Sequence, residues 1–171
     1  METWDAIRAR RDIRRYTGEA IDRDDLERIL EAGRRAPSSR NWQPWDFVVV
    51  TGRERLHGLS KVWRGAGHVA DSAATIALIA PLPADERHRN WVQYDLGQAT
   101  MSMLLAATDL GLGSAHAAVS DQSLARELLG FPEERFCAYL LAFGHPGDRA
   151  LVPVREPDRR PFGDVVHWDR W

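Results

Sequence analysis

Four stretches of this chain carry side chains that could do chemistry. The first is Arg8-Ala9-Arg10-Arg11-Asp12-Ile13-Arg14-Arg15. Continued as a helix, it pairs Arg10 with Arg14 and Arg11 with Arg15 at i, i+4, so each pair shares a face. Two guanidinium forks converging on one point suit a phosphate or a carboxylate. The same residues also read as a solvated basic helix end.

The second stretch is Ala36-Pro37-Ser38-Ser39-Arg40-Asn41-Trp42-Gln43-Pro44-Trp45. It offers hydroxyls, carboxamides and indoles within a few residues, which are parts for gripping a planar polar heterocycle. A turn with packing tryptophans reads equally well. The third is Leu110-Gly111-Leu112-Gly113-Ser114-Ala115-His116. Glycines ahead of a strand let a backbone approach a ligand closely. The stretch lacks G-x-G-x-x-G spacing and follows a helix, so a Rossmann reading fails; a plain C-cap turn is the alternative. The fourth is Arg155 with Arg159-Arg160-Pro161, which also reads as a solvated cluster.

Other chemistries find little here. The six histidines show no H-x-x-x-H or H-E-x-x-H spacing, so no metal site is expected. There is no G-x-S-x-G elbow and no Walker-A loop. Cys137, the single cysteine, excludes an internal disulfide and reads as a core thiol within FCAYLLAF.

The elements that must position these stretches follow from the apolar spacing. Thr3 caps a first helix through about Arg11, with Trp4 and Ile7 turned inward. Asp22 caps a second, striped by Leu26, Ile29 and Leu30 and ended by Gly33 and Pro37. Trp45–Thr51 and Thr75–Ala80 read as strands, with short helices between them over Arg53–Ser60 and part of Lys61–Asp71. The longest helix spans Asn90–Leu110, with Asn90 as N-cap and Gly111 at C′. Its second half is apolar or small all round and therefore buried. Ser114–Val119 and Phe136–Phe143 are further strands, flanking a helix over Ser120–Leu129 that Gly130 ends. Several connections are too short for parallel crossovers, so a mixed α+β sheet is expected. Residues 145–171 are rich in proline and charge and end in Trp168 and Trp171. Such a tail is expected to lie on another surface, such as that of a second subunit.

The chain has 171 residues, 44% hydrophobic and 28% charged, with a net charge of −2. That size accommodates a single domain over 1–171. Of the 23 basic residues only Lys61 is a lysine, a bias that a GC-rich genome would produce. The near-neutral balance argues against a nucleic-acid partner. No apolar run approaches the ~18 residues of a membrane span, and the N-terminus lacks a signal-peptide core, so no membrane association and a cytoplasmic location are expected.

Taken in order, RRDIRRY, APSSRNWQPWDFVVV, LLAATDLGLGS, LLAFGHP and RRPFGDVVHW resemble the nitroreductase family of flavoproteins, and they span nearly the whole chain. The resemblance implies a three-layer α/β/α fold of the α+β class, with a mixed, mainly antiparallel central sheet. It also implies an intertwined homodimer with FMN at the subunit interface and the 145–171 extension wrapped around the partner. Arg10, Arg11 and Arg14 match positions that hold the FMN phosphate and ribityl chain, and Asp12 lies among them. Pro37, Ser38, Ser39, Asn41 and Gln43 match the loop lent by the other subunit. Gly113, Ser114, Ala115 and His116 match the turn beside the flavin ring, where a backbone N–H would stabilise the reduced ring. Arg159 and Arg160 match the basic residues completing the phosphate site.

The implied activity is hydride transfer from NAD(P)H through FMN to a nitro compound, quinone or similar acceptor, with no side-chain catalyst and no metal. Two features depart from the family pattern. Asp12 stands where many members carry a serine, and it must be paired by Arg11, Arg14 or Arg15 to tolerate a nearby phosphate. An aspartate here also marks the flavin-cleaving dimethylbenzimidazole synthase branch, but His116 stands where that branch uses a serine. Second, the stretch Pro81–Asn90 is too short to roof the substrate site. An open pocket lined by Trp42, Trp63, Arg64 and His116 is expected, or a non-catalytic flavin-storage role.

Overall fold

A computed structural model describes all 171 residues. Its four strands are β1 (Asp46–Val50), β2 (Ala74–Pro81), β3 (Gly113–Ala118) and β4 (Arg135–Gly144), in the order β1-β2-β4-β3. All three strand pairings are antiparallel. The mixed character expected of the sheet is confined to one isolated parallel bridge, Asp12 with Ser114.

Five helices cover the two faces: α1 (Thr3–Ala9), α2 (Arg23–Arg34), α3 (Arg53–Leu59), α4 (Glu86–Asp109) and α5 (Gln122–Leu129). Alternation along the strands divides the core. Ile76, Leu78, Leu141 and Phe143 meet Ile29 of α2 and Leu96, Ala99 and Met103 of α4 on one side. Ala77, Ile79, Leu140 and Ala142 meet Leu56 and Leu59 of α3 and Ala125 of α5 on the other. With both faces covered, β2 is buried along nearly its whole length, which explains its unbroken apolar run. The layers are therefore α/β/α. Cys137 lies in the second half-core, and burial pushes its thiol up to about 12.

Several expectations need correction. Helix α1 stops at Ala9, so the i, i+4 arginine pairs do not form. Its buried positions are Ala6 and Ala9, while Trp4 and Ile7 face solvent at 66% and 48% exposure. Thr3 does not cap α1; Glu2 precedes it without a side-chain bond. Gly33 does not end α2 but lies within it, where a Cβ would come 2.1 Å from the Met103 methyl. Helix α4 starts four residues before Asn90, capped by Asp85, whose carboxylate accepts from the His88 N–H at 2.7 Å. Its second half is not buried all round, because Met101 is 49% exposed.

Candidate functional site

Beyond Ala9 the chain turns extended, beginning with Arg10 at φ −58°, ψ 125°. Extended backbone alternates its side chains, so Arg10, Asp12 and Arg14 share one side and Ile13 points the other way, into the core. The Asp12 carboxylate accepts from Arg10 Nη1 at 3.1 Å and from Arg14 Nη2 at 2.7 Å. Of the three arginines expected to pair with Asp12, Arg14 does so. Arg10 is its second partner. Arg11 turns away and donates to the carbonyls of Ala9 and Val152, and Arg15 lines a second polar cavity with Arg14, Tyr16, Arg53 and Asp71. Two guanidiniums on one carboxylate leave a net positive pair with unspent donors.

This arginine segment is stitched to the glycine turn. Ile13 N–H donates to the Ser114 carbonyl at 2.9 Å, and Asp12 bridges Ser114 in parallel. The close approach needs Gly113, because a Cβ there would lie 2.7 Å from Ile13 Cβ. Arg10, Asp12 and His116 then line a cavity of about 450 Å³ with Gly97, Thr100, Met101 and Tyr139. The Tyr139 hydroxyl is held at its rim by Gln93 Oε1 at 2.7 Å.

Two buried polar atoms near this segment have no partner: Ser114 Oγ and His68 Nε2. Ser114 is 1% exposed and His68 9%. Burial lowers the His68 pKa first and the Arg14 charge second; a Gly65 backbone hydrogen bond and then Asp12 oppose them, and His116 adds the smallest lowering. His68 therefore lies within electrostatic reach of Arg14, Asp12 and His116. A buried donor or acceptor left unpaired costs free energy, and such groups point to a missing partner.

The 36–45 loop is built differently. Arg40, Asn41 and Gln43 hold φ of 51°, 57° and 49°, each in the left-handed region that such residues seldom adopt. What holds them is Asp95 of α4, fully buried. Its carboxylate accepts from Ser39 N–H at 3.0 and 3.1 Å and from Trp42 Nε1–H at 2.6 Å. Ser38 Oγ accepts from Gln43 N–H, and Gln43 Nε2 donates to the Asn41 carbonyl. Pro37 precedes this knot.

The predicted residues fall into separate groups within one chain. Arg10, Asp12, Arg14, Gly113, Ser114, Ala115 and His116 converge. The Pro37–Gln43 loop lies on another flank of α4. Gln93, Gly97 and Met101 face the arginine cavity, whereas Asp95 lies about 200° around the helix from Gly97. Arg159 and Arg160 bond only within the tail, to the carbonyls of Asp158 and Asp164. Trp42 and His116 line different cavities; Trp63 packs over Gly65 and the second half-core, and Arg64 is exposed.

Asp95 and His68 were missed from sequence. Asp95 did leave a signal: it is the one acid on an α4 stripe otherwise made of Val92, Leu96, Ala99 and Met103. His68 left none, since a lone histidine in a short turn carries no pattern.

With this geometry in hand, the comparisons decide the class. The family model of the nitroreductase family matches residues 7–64 and 56–145. The chain belongs to the nitroreductase family. A protein of Archaeoglobus fulgidus, provisionally named an NADH dehydrogenase/NAD(P)H nitroreductase, is 36% identical over 170 residues, 96% of each chain. The FMN reductase [NAD(P)H] of Bacillus subtilis is 30% identical over 86% of this chain and 67% of its own. Among solved structures, the NADPH:FMN oxidoreductase of Vibrio harveyi complexed with NAD⁺ superposes with a TM-score of 0.85 at 26% identity, covering 99% of this chain and 77% of that one.

Proposed function

We propose that this chain is an FMN-dependent NAD(P)H oxidoreductase whose flavin site is completed between two copies of the chain. The observation that carries the reading is the Arg10–Asp12–Arg14 cluster joined to the Gly113–His116 strand, with Arg10, Asp12 and His116 lining one cavity. The residues present fit FMN. Arginine N–H groups suit its phosphate, and the backbone N–H groups of the glycine turn suit polar ring atoms. A cavity of about 450 Å³ lies within the usual range of ligand sites.

Arg10 and Arg14 would hold the phosphate and ribityl chain, with Asp12 fixing the direction of their guanidiniums, and Arg11 would join them only on leaving the Val152 carbonyl. The Gly113–His116 strand would present backbone N–H groups to the ring. Bound there, FMN would supply the redox chemistry, taking hydride from NAD(P)H and reducing a nitro compound, quinone or similar acceptor. The chain's own task is to bind, orient and exclude water.

The surface supports a homodimer. Trp4 and Ile7 of α1 and Tyr94 and Met101 of α4 are exposed, and the tail leaves Trp168 and Trp171 at 78% and 99%. A second copy would cover α1 and α4. It would bring its Pro37–Gln43 loop to the flavin and accept the 145–171 extension, with Arg159 and Arg160 completing the phosphate site. No helix is long and apolar enough to cross a membrane. The cytoplasm, which holds the nicotinamide pool, is the expected compartment.

One observation favours a second reading, a non-catalytic flavin carrier. Only Leu82–Asp85 join β2 to α4, so no inserted helix roofs the site there. Native mass spectrometry with added FMN tests the assembly. A dimer carrying two FMN is expected; a monomer that takes none would overturn the reading. Activity with NADH or NADPH then separates enzyme from carrier.

A further inference from the structure

A second cavity, of about 440 Å³, lies between the strained loop and the first turns of α4. Its lining is Ser39, Arg40, Trp42, His88 and Trp91. We propose that this aromatic box binds planar aromatic compounds carrying a carboxylate, and that Arg40 selects for the anionic group. That the bound compound serves as the electron acceptor rests on the oxidoreductase reading above; that it binds does not.

The wall formed by Trp42 is fixed. Trp42 is pinned by its indole N–H on the buried Asp95 carboxylate at 2.6 Å. His88 leans on Trp42 with ring centroids 5.1 Å apart and planes tilted by 44°. Arg87 lies 4.7 Å from the centroid of the Trp91 ring. Two indoles and an imidazole therefore surround a space of ligand size, at a low entropic cost of ordering.

The polar groups give the box its sign. The Arg40 side chain lines the cavity without a hydrogen bond or ion pair to the rest of the chain. The backbone there is held at φ 51°, and Asp95 holds the adjoining Ser39 and Trp42. His88 Nδ1 accepts from the Ala84 N–H at 3.1 Å, which leaves Nε2 to carry the ring proton as a donor. Neither nearby acid lines the cavity: the Asp95 carboxylate is turned to Ser39 and Trp42, and that of Asp85 to the His88 N–H. Arg40 is the one charged side chain among the five lining residues, and a carboxylate matches its fork.

The test is calorimetric binding to the FMN-loaded, oxidised protein without nicotinamide, using 4-nitrobenzoate and the neutral 4-nitrobenzyl alcohol. The expected result is about tenfold tighter binding of the carboxylate, the scale of one charge-assisted contact. Arg40→Asn, which tolerates the left-handed backbone, is expected to bring the ratio to near one, and Arg40→Lys to restore part of it. Equal affinities in the wild type, or a preference that survives Arg40→Asn with the fold intact by circular dichroism, would overturn the proposal. Turnover of both compounds with NAD(P)H is then measured separately. Selective binding without turnover would sink the acceptor role and leave the site standing. Turnover of both without anionic preference in binding would sink the site, and the acceptor role with it, and leave the oxidoreductase reading standing.

Discussion

The indole N–H of Trp42 donates to the carboxylate of Asp95 over 2.6 Å, 53 residues along the chain, and Asp95 itself is wholly buried. This bond fastens the strained 38–43 loop to α4. No cation lies within ion-pair distance of Asp95 in the chain; its neighbours are neutral donors from Ser39, Trp42 and Gln98. A carboxylate in that setting orients what it touches, and here that is a loop with three left-handed residues.

Asp95→Asn sets an amide N–H against donors that need an acceptor. Thermal unfolding should show a loss of roughly 1–3 kcal/mol, the cost of leaving a buried donor unpaired. FMN affinity, read by quenching of flavin fluorescence, should weaken as the loop slackens. An unchanged melting temperature would contradict the clasp.

Gly113→Ala places a methyl 2.7 Å from Ile13 Cβ, against a buried side chain that cannot swing away. Overpacking of this kind costs roughly 1–3 kcal/mol. The arginine segment should peel from β3, and FMN binding should fall even in protein that remains folded by circular dichroism. A variant with wild-type stability and affinity would show that the segment is not held by this contact.

Arg14→Ala removes one of the two cations on Asp12 and brings the formal charge of the trio to zero. FMN binding should weaken by roughly 1–3 kcal/mol, the scale of a charge-assisted hydrogen bond. Unchanged affinity would remove Arg14 from the phosphate site.

His68 makes stability depend on pH. Its value is lowered from 6.5 by burial first and by Arg14 second. The folded chain therefore binds fewer protons than the unfolded chain between the two values. Stability should fall as pH drops below about 6.5 and level off once the folded value is passed. His68→Gln, neutral throughout, should flatten that part of a melting-temperature profile. A profile that keeps the same slope would place the sensitivity elsewhere.

The fold was legible where apolar period and caps agree. The strands, α5 and the Gly111 end of α4 stand within a residue or two of their expected places. The misses share a cause. Trp4 and Ile7 have helical spacing, but spacing does not say which face of α1 meets the core, and Ala6 and Ala9 do so instead. Arg10 and Arg14 share a side in another geometry from the one expected: the chain is extended past Ala9, so neighbours recur at two rather than four, and Arg11 falls on the other side. Asp85 and Asn90 are both competent caps, and the His88 N–H bond settles the choice. In the candidate site, residue type singles out the arginine segment and the glycine turn, and the fold sets them side by side. Asp95 and His68 were not, because their significance lies in unpaired or shared hydrogen bonds that only the packed chain displays.

The visible spectrum of the purified protein, loaded with FMN and titrated under argon with NADH and with NADPH, tests the central claim most directly. Flavin bands that bleach with at least one nicotinamide and return on adding 4-nitrobenzoate or a quinone are the expected result. Protein that stays colourless after incubation with FMN, or flavin bands that neither nicotinamide bleaches, would contradict an FMN-dependent NAD(P)H oxidoreductase.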